Sequence, residues 1–217
     1  MFIGHYAVAL AAKRAAPRTS LGTLFLAAQF VDLLWPLLLL TGLEYVRIDP
    51  GNTAYTPLDF SYYPISHSLE GAVLWSLGFG FVYFLLKKQR RSAIIVGLCV
   101  LSHWVLDFIT HRPDLPISFS GRDKVGAGLW NSIPGTLVVE SLLFLGGLWL
   151  YATATRGKDR AGTIGFWGMI ALLVLIDIAN LFTPPPPDMK SIAIAGNLLW
   201  LFVAWAYWAD RHRKPTR

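Results

Sequence analysis

The stretch His103-Trp-Val-Leu-Asp107-Phe-Ile-Thr-His111 places three metal-type ligands at i, i+4 and i+8. On a helix each step of four residues advances about 40° around the axis, so all three side chains share one face. An i, i+4 His/Asp pair can chelate a single ion, the geometry of helical zinc sites. His111 lies about 12 Å along the axis from His103, too far for both to bind the same ion. Asp107, between them, could bridge two. The plain alternative for His111 is a loop residue just past the helix end. The preceding residues, Ala93 to Leu101, are almost wholly apolar, so the motif lies within or just beneath a bilayer surface. Ionisable groups are costly there and point to function.

Other polar residues interrupt apolar sequence. Asp32 lies midway along the run Leu21–Thr41, where a carboxylate requires a proton, a cation or a metal. A protonated or hydrogen-bonded Asp is the structural alternative. His67, in Pro64-Ile-Ser-His-Ser-Leu-Glu70, opens the next run, and Ser66 or Ser68 could cap that helix. His5 falls in a short N-terminal segment, Phe2–Ala12. If helical, His5 sits about 12 Å deeper than Lys13 and Asp32 about 16 Å beyond Leu21, so a hairpin through Pro17 brings them to similar depth. Four of the five histidines occupy apolar or boundary segments, and the exception, His212, belongs to a basic tail. The expected metal ligands are therefore His5, Asp32, His67, His103, Asp107 and His111. Asp107 and Glu140 are the carboxylates expected to serve catalysis, Glu140 as a supporting or second-metal group in the fourth apolar run. Asp177 and Asn180, at i, i+3, could simply pair with each other. Glu70 either supports His67 or is an exposed helix-start charge.

Positioning these groups falls to membrane helices. The chain is 54% hydrophobic and 15% charged, whereas about a quarter of a soluble domain is charged. A span needs roughly 20 apolar residues. Candidate spans are Leu21–Thr41, Leu69–Leu86, Ala93–Ile109, Ile133–Ala154, Thr163–Phe182 and Ile192–Ala209. The expected fold is all-α: a polytopic bundle of about six transmembrane helices plus a short N-terminal helix, one domain over residues 1–217. The segment Phe2–Ala12 is short for a span and lacks a small-residue cleavage site, so it reads as a half-helix and not a signal peptide. Pro36 should kink the first span just beyond Asp32, and Pro184–Pro187 reads as a stiff outer turn. Cys99 has no internal disulfide partner and reads as packing.

Basic residues set the orientation. Lys13, Arg14 and Arg18 precede the first span; Lys87, Lys88, Arg90 and Arg91 follow the second. Arg156, Lys158 and Arg160 follow the fourth, and Arg211, Arg213, Lys214 and Arg217 follow the sixth. All four clusters fall on one side of a six-span arrangement, as the positive-inside rule requires, with both termini cytoplasmic. The net charge of +6 is then a topology signal, and no nucleic-acid partner is expected.

The order Gly4-His5, Asp32, His67-Ser68-Leu69 and His103-xxx-Asp107-xxx-His111 resembles the membrane-bound, LexA-regulated metal-dependent hydrolases (YdjM-like) over roughly residues 1–115. That family's usual Pro-Asp-x-Asp stands here as Phe30-Val-Asp32-Leu, without a second carboxylate. The same order is more distantly similar to the helical zinc-dependent phospholipase C and single-strand nuclease class. By that likeness Asp32, His67, His103 and Asp107 would hold a first ion, and His5 with Asp107 would help hold another. The class's further His-xxx-Asp/Glu is missing, with Glu140 the nearby substitute. The resemblance implies a bacterial inner membrane.

The expectation is a membrane-embedded metal-dependent hydrolase cleaving a phosphoester or ester of a lipid or small molecule near the outer half of the bilayer. Zinc suits the imidazole and carboxylate donors, with manganese or iron compatible, as one or two ions. Such an ion acidifies a water so that it attacks near neutral pH. Arg112, Arg122 and Lys124 could orient an anionic headgroup or simply be solvated. The alternative is a metal-ion or proton-coupled transporter using the same cluster; the Pro36 kink favours it and the lack of an inverted repeat opposes it.

Overall fold

Helices account for most of residues 1–216, the part of the chain described by this computed structural model. In order they are α1 (Ile3–Ala15), α2 (Leu21–Ala28), α3 (Phe30–Leu40), a hairpin of β1 (Tyr45–Ile48) and β2 (Leu58–Tyr62), and the single turn α4 (Pro64–His67). Next come α5 (Leu69–Lys87), α6 (Arg90–Thr110), the two-residue strands β3 (Leu115–Pro116) and β4 (Lys124–Val125), and α7 (Ile133–Ala154). The chain finishes with β5 (Thr155–Gly157), α8 (Arg160–Asn180), α9 (Met189–Asn197), α10 (Leu199–Arg211) and β6 (Arg213–Pro215). Arg217 of the last basic cluster lies outside the described residues.

Local chemistry sets where the helices start. Ser20, Ser68, Ser132, Asp159 and Asp188 each accept a hydrogen bond from a backbone N–H in the first turn of α2, α5, α7, α8 and α9, satisfying a donor that the helix itself leaves free. Four helices and the α9–α10 pair are long and apolar enough to cross a membrane, with mean hydropathy between 1.6 and 2.0. Large apolar side chains such as Leu77 and Phe81 on α5, Leu142 and Trp149 on α7, and Ile164 and Leu175 on α8 are exposed. Outward apolar faces of this kind are suited to lipid. The α6 helix is different: half of its apolar window is buried, more than in any of the others. It is the helix that carries His103 and Asp107, consistent with the rule that intramembrane ionisable groups face the bundle interior.

The first expected span is not one helix. It breaks at Gln29 into α2 and α3, which meet at 55°. The bend therefore lies before Asp32, whereas Pro36, the expected kink, is accommodated inside α3. The fold is mostly helical, compatible with the expected all-α bundle; among the described residues three short two-stranded ribbons accompany the helices. Beneath these, α1 packs most extensively on α7. The two backbones approach so closely that a Cβ at Gly147 would lie 2.3 Å from Ala7 O. Tyr6, Leu10, Phe25, Val100, Phe166 and Met169 fill the core between α1, α2, α6 and α8.

Candidate metal centre

Four separate elements converge on one polar cluster. From α1 comes His5, from α3 Asp32, from α4 His67, and from α6 His103 and Asp107. His5, His103 and Asp107 bring ligand atoms within 4.8 Å of one another, and so do Asp32, His67 and His103. His103 Nε2 lies 3.2 Å from Asp107 Oδ2 and 3.5 Å from Asp32 Oδ1. His67 Nε2 is 3.3 Å from Asp32 Oδ1 and 3.9 Å from Asp107 Oδ2. His5 Nε2 is 3.1 Å from Asp107 Oδ1, and its ring stacks on that of His103 at 3.5 Å and 5°. The Met1 amino group donates to the same Asp107 oxygen.

Two of the three imidazoles are oriented by a partner on the far nitrogen, while His5 Nδ1 is buried without one among the described residues. His103 Nδ1 donates to Ala28 O at 2.8 Å. That carbonyl sits at the C-terminal end of α2, where a helix leaves its last carbonyls without internal partners. The break at Gln29 thus supplies the acceptor that turns His103 Nε2 toward the carboxylates. Nε2 is buried and has no hydrogen-bond partner among the described residues. His67 is held by a longer relay. Its Nδ1 donates to Ser66 Oγ at 2.6 Å, and Ser66 Oγ donates in turn to Glu44 Oε2 at 2.6 Å. Ser66 N also donates to Glu44 Oε1 at 2.8 Å. Burial pushes the Glu44 carboxyl above its usual pKa, and the two donors from Ser66 oppose that push. Both arrangements turn Nε2 toward the carboxylates, with His67 Nε2 3.3 Å from Asp32 Oδ1, the orientation usual behind a metal-bound imidazole.

The cluster is well matched to a cation. Two carboxylates and three imidazoles meet in a buried space, and those carboxylates need positive charge nearby to remain ionised. Imidazole nitrogen with carboxylate oxygen is a donor set that borderline divalent ions accept.

Two expected site residues stand outside both ligand groups. Glu140 accepts from Phe2 N at 3.0 Å and Gly4 N at 3.2 Å, so it anchors the start of α1 one residue from His5. His111 caps the end of α6. Its Nδ1 lies 2.9 Å from Asp114 Oδ1, and its ring packs on Trp130 and Phe60 at 4.3 and 4.8 Å. It does share a cavity of about 590 Å³ with Asp32, His67 and Asp107. The cavity wall includes Trp35 and Trp130, whose indole N–H groups are buried without partners among the described residues.

The remaining candidates resolve simply. Glu70 accepts from Phe119 N on the surface and does not touch His67. Asn180 lines the cavity, and buried Asp177 keeps Oδ1 unpartnered, so no pair joins them. Arg112 is committed to Asp59 and Asp114, and Lys124 Nζ donates to Ser61 O; among the described residues, the side chain of Arg122 alone of these three has no partner. Glu44 and Ser66 form the relay that sequence reasoning missed. They are 22 residues apart in irregular connections, where no helical or strand period links them.

Comparison with protein-family models, with curated proteins and with solved structures finds no match to this chain.

Proposed function

We propose that this chain is a membrane-embedded metal-dependent hydrolase acting on a phosphoester or ester of a lipid or small amphiphile, with zinc the best-suited ion. The observation that carries this reading is the convergence of His5, Asp32, His67, His103 and Asp107 beside an aromatic-walled cavity. The motif likeness to the membrane-bound metal-dependent hydrolases points the same way.

Asp32, His67 and His103 would hold one ion, with Asp107 Oδ2 beside them. A neutral imidazole offers a single lone pair at Nε2, so the two ligand groups compete for His103. A second ion would rest on His5 and the other oxygen of Asp107. When bound, the metal would lower the pKa of a water toward ~7 and offset charge on phosphoryl oxygens. The chain's own residues supply the rest. The unpartnered indole N–H groups of Trp35 and Trp130 are available to ester oxygens, and the aromatic wall limits water. His111, with its Nδ1 proton held by Asp114, would take a proton at Nε2 from the attacking water and return it to the departing oxygen. Glu140 acts at a distance, fixing α1 and hence His5.

A transporter reading has one observation in its favour, because discontinuous helices at ion sites are common in secondary transporters and α2–α3 is broken next to Asp32.

The test is elemental analysis of detergent-purified protein beside Asp107→Ala, followed by turnover of lipid phosphoesters. One or two equivalents of metal, lost in the variant, with metal-dependent turnover, is the expected result. His111→Asn should keep the metal and lower turnover roughly 10²–10⁴-fold. Protein that binds no metal after reconstitution overturns the hydrolase; metal flux into vesicles without turnover replaces it with the transporter.

A further inference from the structure

On the basic face of the bundle, α2, α5 and α10 leave between them a separate cleft of about 850 Å³. One wall is α5 from Trp75 to Lys87, a length of about 18 Å at 1.5 Å per residue. One leaflet of a roughly 30 Å hydrocarbon core has a similar depth. Along that length the lining is apolar, with Leu26, Phe79, Val82 and Leu86. At the end formed by the helix termini the lining includes Arg18 from the α1–α2 connection, Lys87 from the last turn of α5 and Arg211 from the last turn of α10. All three are exposed, and among the described residues none has an ion-pair partner. Asp210, the one acid in the lining, is already neutralised by Lys13 at 2.7 Å.

Three uncompensated cations at one end of an apolar trough are complementary to an anion that carries a hydrocarbon chain. A free phosphate would use the cations and leave the trough unfilled; a zwitterionic lipid would fill the trough and leave a net positive end. We propose that the cleft binds one anionic phospholipid, its phosphate between Arg18, Lys87 and Arg211 and an acyl chain along α5 toward Trp75. The site is distinct from the metal centre and does not depend on what that centre does. Its inner end reaches the centre's outer support, because Trp75 Nε1 donates to Ile65 O at 3.0 Å, one residue before Ser66.

Native mass spectrometry of the full chain in detergent tests this, titrating phosphatidylglycerol, phosphatidylcholine and inorganic phosphate separately and in competition. Each basic residue near an anionic lipid adds several-fold, so phosphatidylglycerol should bind roughly a hundredfold more tightly than phosphatidylcholine. Replacing Arg18, Lys87 and Arg211 together by Gln should remove that preference and leave weak binding of both lipids. Gly78→Phe offers an independent block: Gly78 lines the cleft, and a Cβ there meets nothing within 4 Å. It should abolish both lipid adducts with metal content unchanged. Equal affinity for the two lipids in the wild type overturns the proposal. So does a preference for phosphatidylglycerol that survives the Gln variant, or a phosphatidylglycerol adduct that survives Gly78→Phe. Displacement of the lipid by equimolar inorganic phosphate overturns it in favour of a free-anion site.

Discussion

The clustered side chains are only half of the candidate centre, because two of its three histidines are aimed by groups behind them. His103 leans on a main-chain carbonyl and His67 on the Ser66–Glu44 pair. Outer partners of this kind typically tune metal affinity 10- to 100-fold. Glu44→Gln and Ser66→Ala should therefore each weaken binding by about that factor while the stoichiometry stays the same, measured by competition with a chromogenic chelator. A purely structural role for Glu44 would lower the melting temperature and leave the affinity alone. The ligands themselves were legible because histidine and aspartate in apolar sequence are out of place. Their supports were not, because Glu44 sits in a polar connection where a carboxylate attracts no notice.

At the level of elements, the centre depends on two departures from regular helix packing. One is the break at Gln29. A proline marked the span as irregular, yet the bend fell seven residues earlier, where an ordinary glutamine carries it. Nothing in local sequence distinguishes that position; the partner of the Ala28 carbonyl beside it, His103, lies across the bundle. The other is the close passage of α1 over α7 at Gly147. A side chain there would push backbone against backbone, with no flexible neighbour to yield. Gly147→Val should cost about 1–3 kcal/mol and shift α1 outward. His5 would move with it, so the variant should lose tightly held metal while the His67–Asp32 side of the cluster remains. Thermal unfolding combined with metal titration reads both effects. Apolar periods and capping residues made the long helices α5 to α8 readable within a few residues. The short ribbons of the connections rest on pairings between residues far apart in sequence, which local patterns do not encode.

At the scale of the whole molecule, large apolar side chains cover much of the outside of the long helices, the His/Asp cluster is gathered within, and most of the basic residues lie exposed at the helix ends. Basic clusters after α5, α7 and α10 and before α2 put those connections on one side under the positive-inside rule. Single cysteines introduced at Arg14 and Lys88, on a Cys99→Ser background, should react with an impermeant maleimide only from the cytoplasmic face. Cysteines at Ser61 and Arg122 should react only from the opposite face. Labelling of both pairs from the same face would remove the even-span topology and with it the outward placement of the cavity. The extensive packing of α1 on α7 also gives the protein a timetable. Helix α1, complete at residue 15, must wait until residue 154 has left the ribosome before its main neighbour exists. At about 5–20 residues per second that interval is roughly 7–28 s. Until then His5 lacks the neighbour that fixes its helix, so the candidate centre is assembled only after α7 is made, and any factor that holds nascent membrane helices apart delays it.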